Sequence, residues 1–365
     1  MSWLQSTLQL SSRVARYRLR RIVVISVAWT VIDLILYYRN ITSGTNIDYA
    51  YHETTFWAYV LRFSFTLIVS FIISGLMLRG LKHVFRNFSL LAGWLIKGTI
   101  LLIIASAATI LLFFLHYLLI KGLSYQETAT QFLDYFFYTR LMTESLLFWL
   151  IMLLSALILV EIDQKYSPGV FWEIVTGKYL KPRNEKRIIM FLDLKDSTPI
   201  SETLGHEKYF LFIKDFIYYV SKAVLQYNGM IYQYVGDEMV VTWPYRRRNI
   251  LQSVNAVIES RKAIQRKSDY FKREYGVIPE FRVGLHAGDV TIGEIGVIKK
   301  DIAISGEAMN IAARIRSACN DLNQKFVVSK EYFDTGILKS WQGEDLGQIS
   351  LKGVDESVQL YALKI

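Results

Sequence analysis

The second half of the chain is organised around the stretch Met190-Phe191-Leu192-Asp193-Leu194-Lys195-Asp196-Ser197-Thr198. Apolar, β-prone residues run into a carboxylate here, and the residues that follow predict the end of a strand and the start of a helix. A second stretch, Tyr234-Val235-Gly236-Asp237-Glu238, places a carboxylate at the tip of a predicted hairpin. If the two strands are neighbours in one sheet, Asp193 and Asp237 meet at its edge and can bind divalent cations.

Composition divides the 365-residue chain into a membrane part and a globular part. The hydrophobic fraction of 52% exceeds that of ordinary soluble domains, and the long apolar runs are concentrated in residues 22–160. The single cysteine, Cys319, excludes an intramolecular disulfide and is typical of a reducing compartment. We divide the chain into a basic N-terminal segment, a membrane domain, a connector and a globular domain, at residues 1–21, 22–160, 161–186 and 187–365.

Apolar segments in the first half approach the roughly 20 residues that a helix needs to cross a bilayer. Four spans are predicted, at about Ile22–Tyr38, Phe56–Leu78, Gly98–Ile120 and Leu141–Val160. Basic residues cluster before the first span and after the second, so the positive-inside rule places both termini and the globular domain in the cytoplasm. The prediction is a multi-pass protein of the cell (inner or plasma) membrane. Membrane orientation also explains much of the net charge of +10, and we expect no nucleic-acid partner.

Two ionisable residues, Asp33 and Arg62, lie inside the first and second predicted spans. Unpaired charges at that depth cost several kcal/mol, and antiparallel helices would bring these two to similar heights. We therefore predict an ion pair between them. The alternative is that each side chain reaches separately toward the outer membrane interface.

The connector, residues 161–186, ends in a run of basic residues. One interpretation is a passive linker close to anionic lipid headgroups. The other is a coupling element that sets how two cytoplasmic domains face each other. The composition does not separate these two interpretations.

The globular half is predicted to follow the order β-α-β-β-α-β with an appended part. This order indicates an α+β fold, with a partly antiparallel sheet, helices on one face and a ferredoxin-like or palm-like core. A second hairpin is expected to turn at Gly288. A helix is expected to run from Asp196 toward Tyr227. The other predicted helices are Arg246–Tyr275 and Glu307–Leu322, and the predicted strands include Arg187–Leu194, Gly229–Val235, Glu238–Trp243, Phe326–Val328, Ile349–Lys352 and Gln359–Leu363.

The chemistry expected of Asp193 and Asp237 is that of a metal site. Two carboxylates close enough to bind one metal ion together repel each other unless cations neutralise them. Hard oxygen ligands without a nearby histidine cluster favour Mg²⁺ or Mn²⁺ over zinc. A pair of this kind suits two-metal phosphoryl transfer.

From about residue 183 to 365 the chain resembles the catalytic domain of the class III nucleotidyl cyclases. The order and spacing of several motifs carry this resemblance: Phe191-Leu192-Asp193-Leu194-Lys195-Asp196-Ser197-Thr198, Val235-Gly236-Asp237-Glu238, Val283-Gly284-Leu285-His286-Ala287-Gly288 and Gly306-Glu307-Ala308-Met309-Asn310-Ile311-Ala312-Ala313-Arg314. The resemblance implies that Asp193 and Asp237 hold two Mg²⁺ or Mn²⁺ ions per site, with the backbone carbonyl of Leu194 as a further ligand.

The resemblance also implies roles for three residues later in the chain. Asn310 matches the asparagine that orients the ribose, and Arg314 matches the arginine that stabilises the transition state. Lys352 matches the lysine that binds the terminal phosphates. In this family the metal ligands come from one catalytic domain and these three residues come from its partner. A homodimer with two identical composite sites is therefore implied.

Two positions depart from the family pattern and concern selection of the purine. The family usually has a lysine and an aspartate or threonine there for ATP, whereas this chain has Gln233 and Ala303. By analogy with membrane-anchored bacterial members, the implied reaction converts ATP to 3′,5′-cyclic AMP and pyrophosphate. One alternative is a guanylate or non-selective purine nucleotide cyclase. The other is a catalytically silent membrane receptor or scaffold that retains the cyclase fold.

Overall fold

The computed structural model describes residues 19–38, 56–77, 90–138, 147–158, 173–174, 176–297, 301–334, 343–354 and 356–364. The chain divides into two compact units, Met1–Lys165 and Tyr166–Ile365. The first is helical in its described residues, and the second combines helices with a sheet.

Each of the four predicted membrane spans contains a helix in its described residues. The described helices of the first unit are α1 (19–38), α2 (Phe56–Gly75), α3 (Leu90–Leu119), α4 (Tyr125–Tyr138) and α5 (Leu147–Ile158). Among the described residues, two segments are long and apolar enough to cross a membrane, Phe56–Gly75 and Ala92–Leu119, whereas α5 is a shorter apolar helix. The prediction of four spans is therefore not confirmed and stays a prediction.

The predicted ion pair between the first two predicted spans is confirmed. The Arg62 guanidinium donates from Nε to Asp33 Oδ2 and from Nη2 to Asp33 Oδ1, both at 2.9 Å. Thr66 Oγ1 donates to the same carboxylate at 3.1 Å, and the guanidinium lies 4.4 Å from the centre of the Tyr37 ring. The side chains of Asp33 and Arg62 are only 9% and 21% exposed. They hold α1 and α2 together through a bidentate bond instead of reaching separately for the interface.

The second unit contains an eight-stranded sheet whose main path runs β2-β3-β1-β4-β6-β8-β7, with β5 paired to β4. The first four strands, in the order β2-β3-β1-β4, form the predicted ferredoxin-like arrangement. The pairing of β4 with β6 is parallel, and the other strand pairs are antiparallel. The strands are β1 (Arg183–Leu194), β2 (Met230–Val235), β3 (Glu238–Pro244), β4 (Phe281–Ile295), β5 (Asp301–Ser305), β6 (Phe326–Ser329), β7 (Gly343–Ile349) and β8 (Val358–Leu363).

Helices cover both faces of this sheet, so the predicted one-sided arrangement is wrong. Alternate residues of β1 point to opposite faces, and both faces are buried. Met190 packs with Phe212 on one face, whereas Phe191 packs with Ala312 on the other. The helices are α6 (Ser197–Leu204), α7 (His206–Gln226), α8 (Arg247–Gln265), α9 (Ser268–Tyr275), α10 (Glu307–Asp321) and α11 (Lys330–Phe333). Thus α7 and α8 cover the face predicted for them, and α10 covers the other.

Gly288 is not a turn, which corrects the prediction of a hairpin there. It lies inside the continuous strand β4. A Cβ atom at this position would lie 2.7 Å from Ala308 Cβ and 2.9 Å from His286 Nε2. The glycine is therefore required by the close approach of α10 to the sheet. The partner strand that follows β4 is β5, which begins at Asp301.

Two predicted continuous helices are each divided. Gly205, with a left-handed φ of 73°, separates α6 from α7. Arg266 and Lys267 separate α8 from α9 where one helix was expected over Arg246–Tyr275. Helical periodicity continues across such short breaks, which explains why the pattern alone did not reveal them.

Candidate active site

Asp193 and Asp237 come together at one edge of the sheet, as the strand order predicted. In the antiparallel pairing of β1 with β3, Asp193 lies opposite Glu238. The hairpin joining β2 to β3 has Gly236 and Asp237 as its two turn residues, and Gly236 adopts a left-handed φ of 62° that glycine accommodates without strain. The tight turn therefore places the Asp237 carboxylate next to the end of β1.

The electrostatics of this edge are those of crowded acids. The pKa of Asp193 is raised to about 6, mainly by burial and also by the negative charges of Asp237 and Glu238, although the positive charge of Arg316 opposes the rise. The pKa of Tyr209 is also raised, first by burial and then by the charge of Asp237. The site is thus short of positive charge.

Arg316 is the functional residue of this site that sequence reasoning missed. Its Nη1 lies 3.0 Å from Asp193 Oδ2, and its Nη2 lies 2.5 Å from Glu238 Oε2. Arg316 comes four residues after the buried Ala312 on α10, so helical spacing places it on the side that packs on the sheet. A cation at a sheet-facing position of this helix was the signal that could have revealed it.

The donor set fits a divalent cation. Asp237 Oδ2 is buried and has no hydrogen-bond partner in the described part of the chain. Such an atom is costly to bury unless something binds it. No group of three or more His, Cys, Asp or Glu side chains suited to a metal ion occurs among the described residues. A cation here would therefore use Asp193, Asp237 and the Leu194 carbonyl, with phosphate oxygens of a substrate completing its shell.

Asn310 and Arg314 lie on α10 but do not face this edge of their own chain. Both are exposed, and their spacing of four residues puts them on one side of the helix. Ala308 and Ala312 are buried on the side that packs against the sheet. The single chain therefore separates Asn310 and Arg314 from the carboxylates.

The remaining predicted site residues, Lys352, Gln233 and Ala303, lie on other elements than Asp193, Asn310 and Arg314. Lys352 is exposed in a turn after β7 and not in a strand as predicted, because Gly353 with a φ of 74° reverses the chain there. Gln233 is exposed on β2, just after an irregularity in its pairing with β3. Ala303 is half-buried on β5, opposite Gly293.

Comparison with known proteins identifies the family. Residues 180–365, about half of the chain, match the model of the adenylate and guanylate cyclase catalytic domain. The chain belongs to this family, and its second unit is a class III nucleotidyl cyclase domain. The predictions of the family and of an enzyme are thereby confirmed.

Similar proteins include adenylate cyclases of bacteria. The chain is 29% identical to adenylate cyclase 2 of Rhizobium meliloti over 56% of its own length and 57% of that protein. It is 26% identical to an adenylate cyclase of Anabaena cylindrica, over 55% and 42% of the two lengths. The matches thus span about half of these relatives. The fold is also similar to that of a bacterial light-regulated adenylyl cyclase, with a TM-score of 0.51 at 17% identity over 59% and 64% of the two chains.

Proposed function

We propose that the protein is a membrane-anchored adenylate cyclase that works as a homodimer. It converts ATP to 3′,5′-cyclic AMP and pyrophosphate. The observation that carries this proposal is the separation of the two predicted half-sites within one chain. Asp193 and Asp237 share the sheet edge, whereas Asn310 and Arg314 are exposed on another side of α10. A second copy would bring its Asn310 and Arg314 to these carboxylates.

Each half-site has a defined task. Asp193, Asp237 and the Leu194 carbonyl hold Mg²⁺ or Mn²⁺, and two such ions would supply positive charge to the ribose 3′-hydroxyl and the triphosphate. From the partner chain, Asn310 orients the ribose by hydrogen bonds. Arg314 stabilises the negative charge that develops at the α-phosphate during attack by the 3′-hydroxyl. Lys352 binds the terminal phosphates and keeps the leaving pyrophosphate in line.

Replacement of Arg314 is expected to lower the turnover of the proposed reaction strongly. Removing one group that stabilises transition-state charge lowers turnover by on the order of a hundredfold or more. Arg314→Ala should therefore reduce kcat by at least that factor. KM should change much less, because the ground state of the nucleotide is held by the other groups. A kcat within a few-fold of wild type would contradict the assigned role.

ATP is the proposed substrate because the relatives named above are adenylate cyclases. Gln233 and Ala303 are the proposed base contacts. Glutamine can both donate and accept a hydrogen bond, and alanine offers no side-chain hydrogen bond. The base is therefore selected by fewer polar contacts than a lysine and aspartate would make.

The membrane unit is proposed to anchor the enzyme with four spans in the cell membrane. Both termini and the cyclase domain would lie in the cytoplasm, where ATP is available. The arginines that precede α1 and the basic residues after α2 support this orientation.

The proposal is tested by a cyclisation assay on purified full-length protein, with ATP and GTP in competition and Mn²⁺ or Mg²⁺ present. Cyclic AMP should be the main product. Predominant cyclic GMP would indicate a guanylate cyclase. If a verified dimer with Mn²⁺ forms neither cyclic AMP nor cyclic GMP, catalysis is refuted and a silent receptor or scaffold is favoured.

A further inference from the structure

Helix α10 carries two arginines that serve opposite sides. Arg314 is exposed, whereas the Arg316 side chain is 23% exposed and contacts the carboxylates of its own chain. Two residues along an α-helix correspond to a rotation of about 200°, so the two side chains leave the helix in nearly opposite directions. Arg316 therefore belongs to the half-site of Asp193, not to the half-site that Arg314 serves.

Arg316 contacts one of the two carboxylates that are expected to hold a metal ion. Its guanidinium bridges Asp193 and Glu238, with Nη1 3.0 Å from Asp193 Oδ2 and Nη2 2.5 Å from Glu238 Oε2. A divalent cation held by Asp193 and Asp237 needs the same kind of oxygen that Nη1 contacts. The guanidinium and the cation thus compete for the Asp193 carboxylate.

We propose that Arg316 is a built-in counter-ion that must release Asp193 before the site binds a divalent cation. This inference rests on the metal site of the proposed function. Arg316 keeps the crowded carboxylates in place and sets the metal concentration at which the site fills. On cation binding its Nη1 leaves Asp193, while Nη2 stays paired with the negative charge of Glu238.

Two features make this release easy. The Arg316 Nε is buried without a hydrogen-bond partner in the described residues, so the guanidinium is not locked on that side. The Asp193 and Arg316 side chains are each 23% exposed, so solvent reaches both partners of the ion pair.

The test measures Mn²⁺ binding to purified full-length protein without nucleotide. The electron paramagnetic resonance signal of free Mn²⁺ reports how much of the ion remains unbound. The measurement is made at pH 8. Arg316→Ala and Arg316→Gln should bind Mn²⁺ about tenfold more tightly than wild type, which corresponds to about 1.4 kcal/mol. Arg273→Ala, a loss of the same charge at an exposed position of α9, should leave the Mn²⁺ affinity at the wild-type value. Asp193→Asn should abolish the site.

Thermal melting supplies a second readout. Without Arg316 the acids repel each other, so Arg316→Ala should melt at a lower temperature than wild type in EDTA. Added Mn²⁺ should raise the melting temperature of this variant by more than it raises that of wild type. If Arg316→Ala fails to fold, Arg316→Gln decides, because glutamine removes the charge and retains much of the side chain.

The outcomes separate this inference from the proposed function. Wild-type protein that binds Mn²⁺ through Asp193, with Arg316 variants that bind it equally or more weakly, overturns the counter-ion role alone. Wild-type protein with no Mn²⁺ site that depends on Asp193 overturns the metal site and this inference together.

Discussion

Asp193 owes its properties to three neighbours that are distant in the sequence. Asp237 and Glu238 add negative charge, and Arg316 offsets part of it. The meeting of Asp193 with Asp237 was predictable, because strand order and a two-residue turn determine it. The contact with Arg316 was not predictable in the same way, because it depends on how α10 crosses the sheet. Local sequence carries little information about such a crossing.

Purine selection is predicted to respond to Gln233 and Ala303. Adenine offers a ring nitrogen that accepts and an amino group that donates, so a lysine donor and an aspartate acceptor complement it. The double variant Gln233→Lys with Ala303→Asp should raise the ratio of kcat/KM for ATP to that for GTP by about tenfold, the effect of roughly one added hydrogen bond. Gln233→Glu is the control and should shift the ratio the other way. An unchanged ratio in both variants would place base recognition elsewhere.

At the scale of elements, the close contact between β4 and α10 positions Asn310, Arg314 and Arg316. The sequence predicted the helix, but it divided β4 into two hairpin strands with a turn at Gly288. A glycine in a sequence is compatible both with a turn and with a close approach of another backbone to a strand, so the sequence alone does not distinguish the two. Only the packing of Ala308 against the strand reveals which role applies.

Gly284→Ala should damage this contact. A Cβ atom there would lie 2.4 Å from the Arg316 backbone nitrogen and 2.8 Å from the Ala312 carbonyl oxygen. Both are helix backbone atoms, so α10 must shift, and overpacking of this kind costs about 1–3 kcal/mol. We expect a lower melting temperature together with a reduced kcat. Gly98→Ala is a suitable control, because no atom of the described residues beyond its own stretch of helix lies within 4 Å of its Cβ position. Equal melting temperatures for the two variants would contradict the close approach.

His286 should make the cyclase unit sensitive to acid. Its Nδ1 lies 2.8 Å from Ser329 Oγ, and burial lowers its pKa to about 4, although Glu331 opposes this shift. The unfolded chain takes up a proton near pH 6.5 and the folded chain does not, so stability falls as pH drops from about 6.5 toward 4. Between pH 7.5 and 5 the loss is on the order of 2 kcal/mol.

The measurement is the melting temperature of wild type and of His286→Gln at both pH values, in EDTA. Glutamine does not titrate, so the melting temperature of wild type should exceed that of the variant by less at pH 5 than at pH 7.5. A constant difference would mean that His286 is protonated in the folded protein as readily as in the unfolded chain.

At the scale of the whole molecule, two units are joined in one chain, and each has its own network of charges. Sequence periodicity and charge distribution predicted the division into membrane and globular parts. They also predicted the pair of Asp33 with Arg62, because a bilayer leaves buried charges few alternatives to each other. The number of spans does not follow as directly, since length and composition qualify two of the described segments.

The Asp33–Arg62 pair should behave as a unit. Asp33→Asn leaves the arginine without its charged partner and should lower the melting temperature of the full-length protein in detergent. Asp33→Asn combined with Arg62→Gln removes both charges and should restore part of that loss, because an uncompensated buried charge costs more than a missing pair. A double variant no more stable than Asp33→Asn alone would show that the pair is not coupled.

The central claim is that two copies of the chain build each active site. Asp193→Asn and Arg314→Ala, each nearly inactive alone, should regain cyclase activity when co-expressed, because the heterodimer rebuilds one intact site. Random assembly predicts about a quarter of wild-type activity, since half of the dimers are mixed and each has one working site. Asp193→Asn co-expressed with Asp237→Asn is the control and should stay inactive, because both changes damage the same half-site. No recovery by the first pair in a verified heterodimer would contradict the composite site.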